Sequence, residues 1–515
     1  MNRSFTAKRI SFILCIMVLL ASAGLHAQQK PNIIVFLVDD MGWMDTSLPF
    51  GDKVMPLNKR FHTPNMERLA TEGMKFTHAY AAPVCTPSRV SFMSGMNAAH
   101  HRVTNWTSVL KDEPSDFDHE KNPLKTPDWN INGMSPVKGI SQTVYATPLA
   151  ELLKEAGYFT IHVGKAHWAA AGTPGASPYN MGFLVNVAGN VAGMPQSYLS
   201  EDNYGNIPGK TTYYAVQNMT EYYGTHTFLT EALTREALKT LDHPIRTHQP
   251  FFLYMAHYAV HLPVNADDRF FDKYLKAGLD SAQAKYASMI EGMDKSLGDI
   301  MDFLKQKNID QNTIILFMSD NGGNSISPAK GDKLHTGNLP LREGKGSVYE
   351  GGIREPMIVK WPGVVKPGSV TDQPVIIEDY FPSLLEMAGV KNPKVVQPVD
   401  GKTFVPILKG NSNVYPDRIF TWHYPNKWKK KDLHDIDYLS AIRQGDWKLV
   451  YRMLTKKLEL YNLKTDIGEQ HDLAAQYPDK VKKLAALLGE QFRSWGALMP
   501  SYKAGGQQVP WPDKL

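Results

Sequence analysis

At 515 residues the chain can bury one large core and carry a smaller unit beside it. Hydrophobic residues make up 43% and charged residues 21%, which excludes a disordered or fibrous chain. The formal charge of +5 falls to +2 once the three basic residues of the leader are removed, so no electrostatic footprint for nucleic acid remains.

The leader comes first in chain order. Arg3, Lys8 and Arg9 precede an apolar run from Ile10 to Leu20, and small residues follow up to Ala27. A basic start, a run too short to span a bilayer and a small-residue end read as a signal peptide over residues 1–27. The expectation is an exported protein of bacterial type, periplasmic or extracellular, with no stable membrane anchor after cleavage. Cys15 leaves with the leader, so Cys85 is the single cysteine of the mature chain. It has no internal disulfide partner, and a lone thiol outside the cell is open to oxidation. Composition leaves two readings of it: a small buried hydrophobe, or a residue kept for its chemistry.

Pro31 to Asp40 is a continuous apolar run closed by Asp39 and Asp40, the pattern of a strand buried on both faces. Phe159 to Val163 and Phe251 to Met255 are shorter runs of the same kind, and Thr313 to Asn321 repeats the design, closed by Asp320 and Asn321. Helical stretches are predicted over Thr147–Ala156 and Ala282–Lys305, the latter from the spacing of Tyr286, Met289, Met293, Leu297 and Ile300. The polar segment Lys111 to Lys125 is predicted to be an exposed loop insertion. Strands alternating with helices predict an α/β fold, a large and mostly parallel sheet flanked by helices with its site at the strands' carboxyl ends. After about residue 410 the texture changes to short strands at Leu439–Arg443, Trp447–Tyr451 and Leu458–Tyr461, then a helix over Pro478–Trp495. The expected division is 1–27 signal peptide, 28–410 catalytic domain and 411–515 a smaller α+β subdomain with an antiparallel sheet.

Asp39, Asp40, Asp320 and Asn321 at two neighbouring strand ends offer hard oxygen ligands suited to calcium or magnesium. A thiolate at Cys85 is a poor ligand for such a cation, and an oxygen on that side chain would fit better. The residues alone stop at this mismatch.

Cys85-Thr86-Pro87-Ser88-Arg89 resembles the Cys-x-Pro-Ser-Arg signature of the formylglycine-dependent sulfatases, part of the alkaline-phosphatase-like superfamily. The resemblance spans nearly the whole mature chain. It takes in Pro31 to Gly42, Gly164-Lys165-Ala166-His167, Val260-His261-Leu262-Pro263, Ser319-Asp320-Asn321-Gly322 and Arg342 to Arg354. It implies that Cys85 is oxidised to formylglycine (3-oxoalanine) by a maturation enzyme. It also implies that Asp39, Asp40, Asp320 and Asn321, with the modified Cys85, ligate one calcium ion. Arg89 then steadies the modified residue, and Lys165, His167, His261 and Lys345 surround the sulfate. The implied mechanism is attack on sulfur by a hydroxyl of the hydrated aldehyde, with His261 protonating the leaving oxygen beside Lys345. His167 then takes a proton from the second hydroxyl, and sulfate leaves. Ala166 followed by Trp168, and the stretch Met96 to His101, depart from the family pattern in places where substrate contacts are expected.

The expected substrate is a sulfated carbohydrate, cleaved from the end of a glycan or oligosaccharide. Trp106, Trp129, Trp422, His423 and Tyr424 suit a sugar ring stacked on aromatics, and His423 and Trp106 join Lys165, His261 and Lys345 as expected substrate contacts. The same aromatics would equally serve as C-terminal core. Two alternatives remain open: a phosphodiesterase or phosphonate monoester hydrolase of the same superfamily, and a secreted glycan-binding protein without activity.

Overall fold

The protein is described by a computed structural model covering residues 30–116, 122–324, 338–428 and 436–515. The leader lies outside the described residues. A nine-stranded sheet runs, in spatial order, Ser369–Thr371, Met74–Tyr80, Arg354–Lys360, Thr313–Ser319, Asn32–Val38, Phe251–Ala256, Phe159–Gly164 and Val185–Val187. The short strand Val375–Ile376 also pairs with Met74–Tyr80. Only Arg354–Lys360 runs against the others. The expectation of a large, mostly parallel sheet is met.

The continuous apolar runs follow from double-sided burial. Ile33, Val35 and Leu37 of the central strand face one core, while Ile34, Phe36 and Val38 face the other. The helices Cys85–Ser94, Leu149–Glu155 and Tyr380–Met387 cover the first face. The helices Pro64–Glu72, Leu229–Arg246 and Ser281–Gln306 cover the second.

A second, antiparallel sheet of four strands follows in simple succession: Ile419–Tyr424, Leu439–Gln444, Trp447–Arg452 and Lys457–Asn462. The helix Pro478–Trp495 packs on it through Leu484, Leu488 and Phe492. Among the described residues no helix is long and apolar enough to cross a membrane.

The predicted insertion is only partly a surface loop. Lys111 to Glu113 are exposed, but Asn122 and Leu124 are buried, and Leu124–Lys125 pairs with Ser501–Tyr502. This segment therefore stitches the two parts of the chain together, a pairing across nearly 400 residues that local sequence does not signal.

Candidate active site

Parallel register brings the strand ends to one place. Val38 lies opposite Ser319, Leu37 opposite Ala256, and Ala256 opposite Gly164. The residues that follow, Asp39–Asp40, Asp320–Asn321 and Lys165, therefore emerge side by side at the carboxyl edge. Asp40 and His167 adopt positive φ values of 59° and 52°, backbone that a non-glycine residue holds at some cost and that clusters at functional sites.

Asp39, Asp40 and Asp320 are fully buried, and an oxygen from each lies within 4.8 Å of the other two. Burial and mutual repulsion push Asp39 up to about 6 despite Lys165 at 2.7 Å, and Asp320 is raised for the same reasons despite Arg89 at 2.9 Å. Burial would also raise Asp40, but Lys345 at 2.6 Å, His261 at 3.5 Å and Lys165 together hold it below the ordinary carboxylate range. Asn321 donates its amide to Asp40 Oδ1 at 2.8 Å. Asp39 Oδ1 and Asn321 Oδ1 are buried with no hydrogen-bond partner among the described residues. Two orphaned hard oxygens beside three carboxylates fit a hard divalent cation.

Cys85 is the first residue of its helix, and the whole helix is buried, Arg89 included. Arg89, one turn on, donates to Asp320 Oδ2 through Nε at 2.9 Å and to the Lys165 carbonyl through Nη1 at 3.0 Å. It ties the helix carrying Cys85 to the acidic strand ends. His167 Nδ1 lies 3.5 Å from Cys85 Sγ, while its Nε2 lies 3.0 Å from the Thr107 carbonyl oxygen. A carbonyl only accepts, so Nε2 carries the hydrogen and Nδ1 presents a lone pair to residue 85. Gly193 permits this placement, because a Cβ there would come within 2.6 Å of the imidazole. His261 is held in the opposite sense, with Nδ1 3.1 Å from the Leu262 carbonyl and Nε2 turned to Asp40. Burial, with Lys345 and Lys165 opposing Asp40, lowers His261 to about 3, and burial lowers His167 far below its ordinary value.

These groups open into a cavity of about 230 Å³, with Cys85, His167, His261 and Lys345 at its base and Trp106, Tyr214 and Trp428 among its walls. The geometry thus gathers a buried acidic cluster, a cysteine facing an imidazole lone pair and several cations around one cavity. That arrangement suits transfer of an anionic tetrahedral group.

The structure brings together Cys85, Arg89, Lys165, His167, His261, Lys345, Asp39, Asp40, Asp320, Asn321 and Trp106. It does not bring His423 to them. His423 is buried in the C-terminal sheet, bonded to Ser440 Oγ and the Leu498 carbonyl at 2.8 Å each and packed against Phe492. With both ring nitrogens committed, the expectation of a substrate contact there is corrected to a core role. Trp422 and Tyr424 are likewise core. Trp129 is buried too, its indole N–H donating to Asp116 at 2.5 Å. The two departures from the family pattern are also absorbed by packing. Trp168 stacks on Phe183 at 5.8 Å, Asn97 bonds Glu378, and His100 bonds Asp400. His257, four residues before His261, bonds Ser296 Oγ at 2.8 Å inside the helical face and shares no site with it. Thr107, Gly193, Tyr214 and Trp428 were missed from sequence. Trp428 alone carried a signal, an aromatic four residues beyond Tyr424 in a segment already read as aromatic.

Comparison with known proteins bears on the same residues. A family model described as Sulfatase matches residues 31–390, and one described as N-sulphoglucosamine sulphohydrolase, C-terminal, matches 344–495. A sulfatase of Formosa agariphila is 31% identical, with 99% of this chain and 97% of the relative covered. The N-acetylgalactosamine-6-sulfatase of Mus musculus is 33% identical, with 78% and 71% covered. Among solved structures, Ps i-CgsB is 28% identical with a TM-score of 0.71, covering 91% of this chain and 94% of that one. A second structure of Ps i-CgsB, in complex with k-i-k-neocarrahexaose, aligns with a TM-score of 0.69.

Proposed function

The chain belongs to the sulfatase family and is a sulfuric ester hydrolase, and from that premise we propose that it removes O-sulfate from a carbohydrate through an oxygen nucleophile made from Cys85. The observation that carries the nucleophile is its setting: Cys85 Sγ faces a lone pair of His167 beside a buried hard-oxygen cluster. A thiol could pair with the histidine but suits a hard-cation site poorly; an oxygen suits both. Asp39, Asp40, Asp320 and Asn321, with residue 85, would hold a calcium ion, which when bound supplies positive charge to the sulfate oxygens. Formylglycine at residue 85, installed by a maturation enzyme, supplies when hydrated one hydroxyl for attack on sulfur and a second for release of sulfate.

The chain's own groups do the rest. Lys165, ion-paired to Asp39, fixes a cation where the sulfate must sit, and Lys345, ion-paired to Asp40, sets one beside the leaving oxygen with His261. Arg89 keeps residue 85 in register with the strand ends. His261 commits Nδ1 to the Leu262 carbonyl and turns Nε2 to Asp40 and the pocket, and with an anionic substrate bound the ring takes up a proton at Nε2, the charged form that Asp40 favours. It delivers that proton to the leaving alcohol oxygen. His167 Nδ1 takes the proton released at residue 85, its tautomer set by Thr107.

A sugar as leaving group is supported by the aromatic walls of Trp106, Tyr214 and Trp428 and by the relatives. The leader supports export. Turnover of sulfated saccharides and an aryl sulfate, set against matched phosphate mono- and diesters with matured enzyme, tests the reading. Sulfate esters should be preferred, and faster hydrolysis of a phosphodiester would overturn it.

A further inference from the structure

The segment that carries Lys345 is gripped from both sides. On the site side its backbone joins the active-site loops: Lys345 N–H donates to the Gly323 carbonyl at 3.1 Å, Gly346 N–H to Pro83 at 2.7 Å, and Gly322 N–H to Gly352 at 3.0 Å. The approach is close enough that a Cβ on Gly322 would lie 2.0 Å from the Gly351 carbonyl oxygen. Pro83 is two residues from Cys85 and Gly322 is next to Asn321, so this segment touches both halves of the chemistry.

On its other side the grip comes from the antiparallel sheet. Lys448 Nζ, on the strand Trp447–Arg452, lies 2.9 Å from Glu350 and 2.9 Å from Glu469, and all three side chains are buried. Glu469 also accepts the Glu350 backbone N–H at 2.7 Å. Tyr349 donates to Glu459 at 2.5 Å, and Arg342, stacked on the Tyr349 ring at 3.9 Å, donates to Tyr461. The other Glu350 oxygen receives Tyr80 at 2.8 Å and Arg354 at 3.2 Å. Four residues of the second sheet and the loop after it, Lys448, Glu459, Tyr461 and Glu469, are thus spent on fixing residues 342–350, and none of the four lines the cavity. Burying three charges costs free energy that well-packed apolar side chains would not, so stability alone is a weak account of the cluster.

We propose that Lys448 and Glu469 are positioning residues for catalysis: they lock Glu350 and thereby set Lys345 against the leaving-group oxygen. The inference rests on the reading of Lys345 given above. If the sheet acts through Lys345, its loss weakens stabilisation of charge on the leaving oxygen and leaves sulfate binding intact. Poor leaving groups then suffer and activated ones do not.

The test uses matured enzyme carrying Lys448→Met, and the charge-matched double variant Lys448→Met/Glu469→Gln in case the single change unfolds the protein. Each is assayed on a sugar sulfate and on an activated aryl sulfate, alone and combined with Lys345→Ala. The expected result is a loss in kcat of about tenfold on the sugar sulfate, less than about twofold on the aryl sulfate, and unchanged KM. Added to Lys345→Ala, the same changes should cost nothing further. Equal losses on both esters, or losses that add to that of Lys345→Ala, would overturn the inference alone. Wild-type turnover of both esters by Lys345→Ala would instead overturn the reading of the site on which it rests.

Discussion

Two buried charge clusters flank the Arg342–Arg354 segment, and they differ in what lies beside them. At the strand ends, Asp39 is pushed up to about 6 and Asp320 is raised with it, because burial and repulsion from the neighbouring aspartates outweigh Lys165 and Arg89. At the second sheet, burial is overcome at Glu350 by Lys448, Arg354 and Arg443, which hold it below the ordinary carboxylate range, while burial pushes Glu469 up to about 7 despite Lys448. The first cluster opens into a cavity and leaves Asp39 Oδ1 and Asn321 Oδ1 without hydrogen-bond partners among the described residues. The second ties both Glu350 oxygens to protein donors. A buried cluster that leaves hard oxygens unpaired beside a cavity is built to receive a cation. One whose central carboxylate is met on both oxygens within the chain is built to hold geometry.

The largest expected effects fall on the first cluster. Cys85→Ala should lower sulfate ester turnover by about 10⁴-fold or more, measured on enzyme shown to be folded. Undiminished hydrolysis would break the contrast at its root. His261→Ala should cost about 10²- to 10⁴-fold, with a smaller deficit on activated aryl esters, which need no proton at the leaving oxygen. Calcium should raise the melting temperature of chelator-treated protein, by about 2.7 kcal/mol of stability at a hundredfold excess over Kd. Asp320→Asn should lose that response, whereas Glu350→Gln should keep it. A calcium response that survives Asp320→Asn would place the cation elsewhere.

The second cluster sharpens the comparison through acid unfolding. Glu350 is depressed in the folded protein, so its contribution is present above the ordinary glutamate value near 4.5 and is lost as pH falls below it. Glu350→Gln should therefore be destabilised at neutral pH and show a flatter acid limb in urea unfolding below about pH 4.5. An unchanged acid limb would mean that Glu350 is not the group titrating there. The smallest effect belongs to His423→Ala, which should leave turnover within about twofold and lower stability by about 1–3 kcal/mol, since two buried hydrogen bonds are lost. A large loss of activity would return His423 to the site.

Much of this was legible in the chain itself. Asp39–Asp40 and Asp320–Asn321 close apolar runs, and parallel register converts that local pattern into one cluster. The strands and the helix Pro478–Trp495 were readable because burial on two faces, or on one stripe, imposes a period. His423 was misread, and Trp422 stayed open between two readings, because an aromatic run looks the same as a pocket wall or as core. Only Ser440, Leu498 and Phe492, brought in by folding, decide between them. The tautomers of His167 and His261 depend on the backbone carbonyls of Thr107 and Leu262, which carry no side-chain signature. The Lys448–Glu350 pair spans 98 residues of sequence between two sheets, and no local periodicity announces it.

The central claim is that residue 85 acts as an oxygen nucleophile. Mass spectrometry of the peptide containing residue 85, from enzyme with demonstrated sulfatase activity, tests it most directly. The account predicts 3-oxoalanine or its hydrate at that position. An unmodified cysteine throughout a fully active preparation would contradict it.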